Sequence, residues 1–129
     1  MPVDILLVDD DEMFRSAAKR LLQGEGAFRV VGEATNGEEA IRLTRALRPE
    51  VILMDISMPR LDGFEATRRI KAERPEAKVI MLTVHGEPWY RKAAGDVGAD
   101  AYIPKKNFRD ELCYTIRRVK RNPERPYEL

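Results

Sequence analysis

A single cysteine, Cys113, is the whole thiol content of the chain, which excludes an internal disulfide and suits a reducing compartment. Neither charge is in excess: 23 Lys and Arg stand against 22 Asp and Glu, for a formal net charge of +1. That removes any global pull toward nucleic acid or an anionic membrane. No apolar run approaches the roughly 20 residues of a membrane-spanning helix. Met1-Pro2-Val3-Asp4 lacks the basic segment of a signal peptide, so the expected location is cytoplasmic by default. No internal repeat or low-complexity tract is present. What is left is 129 residues, 43% hydrophobic and 35% charged, enough for one soluble globular domain with a real core.

The stretch Val51-Ile52-Leu53-Met54-Asp55 organises the rest. A short continuous apolar run reads as a strand buried on both faces of a parallel sheet. An acid closing such a strand costs free energy unless something there uses it. One lone Asp would most simply cap a turn, but other strand-like runs also end in polar groups. They lead into Asp9-Asp10-Asp11-Glu12, into Thr83, and toward Lys105. Ligands of open α/β sheets sit at the carboxyl ends of the strands, so four such ends make one site.

Read in order, strands are expected over Val3 to Val8, Phe28 to Val31, Val51 to Met54, Lys78 to Leu82 and Ala101 to Ile103. Between them, Phe14, Ala17, Ala18 and Leu21 recur at helical spacing, with Gly24 as a stop. Asn36 followed by Glu39 gives a capping-box-like start to a helix striped by Ala40, Leu43 and Leu47 and ended before Pro49. Asp62 and Glu65 repeat the device ahead of Phe64, Thr67 and Ile70. Pro88 suits the first turn of a helix running to Val97, and Gly98 its stop. Asn107 is expected to cap the last helix, striped by Phe108, Leu112, Ile116 and Val119. The alternation βαβαβαβαβα implies an α/β fold with a parallel sheet and helices on both faces. Pro104 suits an edge strand. That agrees with a flavodoxin-like, doubly wound five-stranded sheet of order 2-1-3-4-5.

In that order the first and third strands are neighbours, so Asp9, Asp10 and Asp55 meet at their carboxyl ends. Three carboxylates within a few ångströms repel one another, and a hard divalent cation removes the conflict. Mg²⁺ accepts one or two protein carboxylates and keeps several waters, and a backbone carbonyl just after Asp55 can add a ligand. Lys105 adds an ammonium and Thr83 a hydroxyl. Together these groups match the charges on a transferring phosphoryl group, with Asp55 as the nucleophile. Asp11 and Glu12 are more simply the acidic start of a helix and are given no metal role.

The residues that carry this chemistry resemble a response-regulator receiver domain of bacterial two-component signalling. The matching pieces are Val8-Asp9-Asp10, Met54-Asp55-Ile56-Ser57-Met58-Pro59, Asp62-Gly63, Leu82-Thr83, Gly98-Ala99-Asp100-Ala101-Tyr102 and Lys105. The resemblance spans about Val3 to Arg121, giving a receiver over residues 1–121 and a linker-like, proline-broken tail over 122–129. It implies that Asp55 accepts phosphate from a sensor histidine kinase. Asp10, Asp55 and the Ser57 carbonyl would bind Mg²⁺ directly, and Asp9 through water. Lys105 would bind the phosphate, with Thr83 and Tyr102 as the switch pair. The protein would be a regulatory phosphoacceptor that assists its own phosphorylation and dephosphorylation, and not an enzyme acting on external substrates. Implied partners are the kinase, an output domain beyond these residues or a separate protein, and a second copy on phosphorylation. No direct contact with nucleic acid or membrane is implied.

The chain departs from the family pattern at three places. Val84 follows the switch threonine where Ala or Gly is usual, and Lys106 follows the lysine where proline is usual. Thr115 stands where many winged-helix regulators carry an arginine in their dimer contact. His85 reads as a solvated loop residue within reach of a water near the phosphate. Trp89 and Tyr90 read equally as a partner surface or as packing. Arg117, Arg118, Lys120 and Arg121 read as a solvated face, and Cys113 as a small packed residue. Two other classes compete. A Mg²⁺-dependent aspartyl-nucleophile phosphatase or phosphotransferase commonly has two acids one residue apart after the first strand, and a cap for its substrate. Here the acids are adjacent and no chain is spare for a cap. A flavin or nucleotide carrier needs a Gly- or Ser/Thr-rich phosphate loop where Asp9 to Glu12 stand.

Overall fold

Continuous apolar runs form the centre of the molecule, as their two-sided burial requires. The computed structural model describes residues 2–121; the tail over 122–129, read above as a linker, lies outside the described residues. The strands are β1 (Val3–Val8), β2 (Phe28–Ala34), β3 (Val51–Asp55), β4 (Lys78–Thr83) and β5 (Ala101–Pro104). The helices are α1 (Glu12–Gln23), α2 (Gly37–Leu47), α3 (Gly63–Glu73), α4 (Pro88–Asp96) and α5 (Phe108–Arg121). All strand pairs are parallel, in the order β2-β1-β3-β4-β5 that the sequence predicts.

Alternation along each strand splits the core in two. Ile5, Leu7, Leu53 and Leu82 face α1 and α5, where they meet Ala18, Leu22, Leu112 and Ile116. Leu6, Val8, Met54 and Met81 face α2, α3 and α4, against Ala40, Ile41, Ala66, Ile70 and Ala94. Asp11, Asn36 and Asp62 cap α1, α2 and α3 through their side chains. Each cap satisfies backbone N–H groups that a helix start leaves unpaired.

Three local expectations are corrected. β2 continues to Ala34, because its parallel pairing with β1 resumes after an irregularity between Ile5 and Leu6. Asn107 is not a free-standing cap. It closes a three-residue 3-10 turn, Lys105–Asn107, that runs directly into α5. Leu47 is not a core residue: it is partly exposed and lays one methyl over Gly32, where a β-carbon would come within 2.7 Å. Buried Ile41 and Thr44 take the inner stripe instead.

Candidate functional site

Strand order alone brings the acids together, since Val8 pairs with Met54 and each strand then delivers its carboxylate at the same edge. Asp9 is 2% exposed and Asp55 5%, whereas Asp10 is exposed. One carboxylate oxygen from each of Asp9, Asp10 and Asp55 lies within 4.8 Å of the others. Lys105, just past β5, crosses the edge to place its Nζ 2.6 Å from Asp9 Oδ2 and 3.4 Å from Asp55 Oδ1. Three acids thus share one ammonium.

The electrostatics follow from that imbalance. Burial, then the charge of Asp9, pushes the Asp55 carboxyl up to about 7, with Lys105 pulling the other way. Burial alone would lower Lys105, but its hydrogen bond to Asp9 and the charges of both acids outweigh this and raise it. Asp9 is held at both oxygens: Oδ1 accepts the Asp11 N–H at 2.9 Å and the buried Oδ2 pairs with the Lys105 ammonium at 2.6 Å. An all-oxygen cluster of three acids with one ammonium keeps surplus negative charge, which fits a hard divalent cation such as Mg²⁺. Ser57 sits in the exposed loop after β3, on the same edge.

Thr83 closes β4 and is buried, and its Oγ1 accepts the N–H of His85 at 3.0 Å. Tyr102, on β5, is only 9% exposed, and its hydroxyl donates to the His85 carbonyl at 3.0 Å. Both residues of the expected switch pair therefore engage the backbone of His85, and the tyrosine ring already occupies an inner position. The His85 ring stacks on Tyr90 at 4.6 Å, so it is more than a solvated loop side chain. Tyr90 in turn stacks against exposed Trp89 and half-buried Phe64, which makes this region packing and surface at once. Val84 is 76% exposed and lines, with Thr83, His85, Gly86, Pro104 and Lys106, a cavity of about 290 Å³.

Several further residues support the site. Gly63 opens α3 so close to β3 that a β-carbon would lie 2.2 Å from the Asp55 carbonyl oxygen. Its N–H donates to the Ile56 carbonyl at 2.8 Å. The intervening loop carries Arg60 and Leu61 at positive φ, 50° and 86°, conformations that L-residues seldom adopt. Arg15 donates to the Asp9 carbonyl at 2.7 Å and to Glu33 at 3.0 Å, bracing the acidic turn against β2. On α5, Arg117 and Lys120 pair with Glu25 and Glu50, so that face is only partly given to solvent. Thr115 is buried in the inner stripe of α5, and Cys113 is half-buried. No helix among the described residues is long and apolar enough to cross a membrane.

Comparison with known proteins agrees with this geometry. The response regulator receiver domain family matches residues 5–117. The response regulator UvrY of Escherichia coli O6:H1 (strain CFT073) is 41% identical over 117 residues, covering 91% of this chain and 54% of its own. A LuxR-family two-component response regulator from Aurantimonas sp. SI85-9A1 superposes with a TM-score of 0.88 at 32% identity, covering 92% of this chain and 85% of that one. The CheX–CheY–BeF₃–Mg²⁺ complex from Borrelia burgdorferi gives a TM-score of 0.87 at 25% identity, with 93% and 90% covered. The chain belongs to the response regulator receiver domain family of two-component signalling. It spans about half the length of curated relatives such as UvrY.

Proposed function

We propose that the chain is a phosphorylation-controlled switch whose acceptor is Asp55. The observation that carries this is a buried aspartate at a strand end, held between a lysine at 3.4 Å and two further acids. The donor is a phosphohistidine of a sensor kinase. An Asp55 carboxylate oxygen forms the new bond to phosphorus, the bond from phosphorus to imidazole nitrogen breaks, and the imidazole leaves with its electron pair. Asp10, Asp55 and the Ser57 carbonyl would hold Mg²⁺, with Asp9 through water, and the ion would offset the acids' charge and keep Asp55 ionised as a nucleophile. Lys105 meets one phosphoryl oxygen and the Thr83 hydroxyl another, so charge is stabilised where it develops. The structurally similar CheX–CheY–BeF₃–Mg²⁺ complex from Borrelia burgdorferi contains Mg²⁺ and BeF₃, which supports this cation and this class of group.

Movement of Thr83 toward the phosphoryl group would alter its contact with the His85 N–H. The Tyr102 hydroxyl shares that residue through its carbonyl, so the β4–α4 turn is the two-state element. The output lies in a further domain or a partner protein, in a cytoplasmic setting, with self-association as a further readout. Residues 122–129 would serve as the linker to such a domain. The chain would assist its own phosphorylation and dephosphorylation without acting on external substrates.

The test is intact-mass measurement after incubation with acetyl phosphate. One phosphoryl group should add in the presence of Mg²⁺ and be labile to base and hydroxylamine. Unchanged labelling of Asp55→Asn would sink the assignment.

A further inference from the structure

Lys105 has a third neighbour besides the two acids. Its Nζ lies over the ring of Phe14, 4.5 Å from the centroid. That is within the range in which an ammonium is attracted by the face of an aromatic ring. The ring is itself held. Phe14 meets Phe108 at 4.9 Å between centroids, in a tilted arrangement favourable for two aromatic rings. Both rings are placed by local backbone. Asp11 caps α1 by accepting the N–H groups of Met13 and Phe14 at 3.0 and 3.4 Å, which fixes where Phe14 stands. Lys105 opens the 3-10 turn and Phe108 follows three residues later, donating its N–H to the Lys105 carbonyl. A 3-10 turn eclipses positions three apart, so Lys105 and Phe108 leave on the same side. Lys105 over Phe14, and Phe14 against Phe108, therefore form one line of contacts joining the start of α5 to α1.

We propose that Phe14 is a positioning residue for Lys105, retaining the ammonium at the site when the acids are occupied by a cation. The inference rests on the phosphoacceptor reading. In the cation-free chain, Asp9 and Asp55 hold the ammonium. A divalent cation held by these acids would offset that attraction and repel the lysine. The ring of Phe14 is uncharged and makes a contact that the cation does not compete for. It keeps the ammonium facing the place where the phosphoryl oxygens arrive. The residue after Lys105 is Lys106, so no proline ring fixes the lysine's approach from the following position. The aromatic pair supplies the constraint from below.

Two measurements test this. The first needs no phosphorylation. Lysine ε-methylenes are followed by NMR, with Lys105 assigned by its loss in Lys105→Arg. In the wild type its ε-protons should be shifted upfield by the Phe14 ring and should stay shifted when Mg²⁺ is added. In Phe14→Leu they should join the other lysines, and Phe14→Tyr should keep the shift. Equal shifts in wild type and Phe14→Leu would overturn the proposal. The second is the rate of phosphorylation by acetyl phosphate at saturating Mg²⁺. Phe14→Leu should be about fivefold slower, and Phe14→Tyr should recover most of the rate. Mono-, di- and pentafluorophenylalanine at position 14 keep the shape and weaken the ring face in steps, so the rate should fall along that series. A flat series would contradict the proposal even where Phe14→Leu is slow through misfolding. If the wild type takes up no phosphoryl group, the phosphoacceptor reading fails on its own, and the methylene shifts alone decide whether Phe14 holds Lys105.

Discussion

Two buried clusters of charge sit at opposite ends of the same sheet. At the amino end, Asp100 Oδ2 accepts the Lys71 Nζ and the Val79 N–H, both at 2.8 Å, and Lys78 Nζ lies 3.8 Å from Oδ1. Lys71 also donates to the Pro75 and Ala77 carbonyls, so its three protons are all used. At the carboxyl end, Asp9, Asp10 and Asp55 cluster around Lys105, the one cation paired with them among the described residues. The first cluster is closed and has nothing left to offer a ligand. The second carries surplus charge that folding does not satisfy. Burial of charge is therefore no mark of function by itself; incomplete compensation at a strand end is the more telling sign.

The sharpest break between the two ends is expected on removal of the acid. Asp55→Asn should abolish phosphorylation and leave a folded protein, whereas Asp100→Ala should keep phosphorylation and lose stability. Mass measurement and thermal unfolding of both variants check this together. If Asp100→Ala abolished labelling in a folded chain, the division of labour would be wrong.

Next in size is the pH dependence. A carboxyl that titrates near 7 in the folded chain, against its ordinary 3.8, binds more protons folded than unfolded across that window. Without a cation, stability should fall as pH rises from about 4 to about 7, by up to about 4 kcal/mol. Mg²⁺ or Asp55→Asn should flatten the profile, as denaturant midpoints at several pH values would reveal. A flat profile in the cation-free wild type would remove the surplus-charge argument.

The cost of opening the closed cluster comes third. Asp100→Ala leaves Lys71 without its counter-charge and the Val79 N–H without its acceptor, and should cost about 3 kcal/mol. Chemical denaturation measures it, and a loss below about 1 kcal/mol would show that the Lys71 network reorganises around the gap. The smallest effect concerns the mouth of the site. Val84→Ala should speed loss of the aspartyl phosphate a few-fold, about 1 kcal/mol of barrier, by opening the approach of water beside Thr83. Decay after donor removal, at constant Mg²⁺, reads this directly. An unchanged or slower rate would turn attention to Ser57 and His85.

The sequence made the sheet legible because each strand is a nearly unbroken apolar run, and parallel strands buried on both faces need no other signal. It made the acids and Lys105 legible because they interrupt or follow those runs. Its failures share one cause, that they depend on distance in space. Phe14 sits on the expected apolar stripe of α1, and nothing in helical periodicity distinguishes a ring under a lysine from a ring in the core. Lys71 and Asp100 are 29 residues apart and meet only once the fold exists. Asp62-Gly63 matches the family pattern in the sequence, but the reason for the glycine, its approach to the Asp55 carbonyl, is seen only in the fold. Gly32 and Glu33, near the end of β2, have weak strand character and are strand because β1 pairs with them.

The central claim is that the carboxyl end of the sheet holds surplus negative charge, relieved at neutral pH by a bound cation. The most direct measurement is the titration of the Asp55 side-chain carboxyl by carbon NMR, without and with Mg²⁺. Surplus charge predicts a midpoint near 7 in the cation-free chain and a marked fall when Mg²⁺ is added. A midpoint near the ordinary aspartate value, unmoved by Mg²⁺, would contradict it.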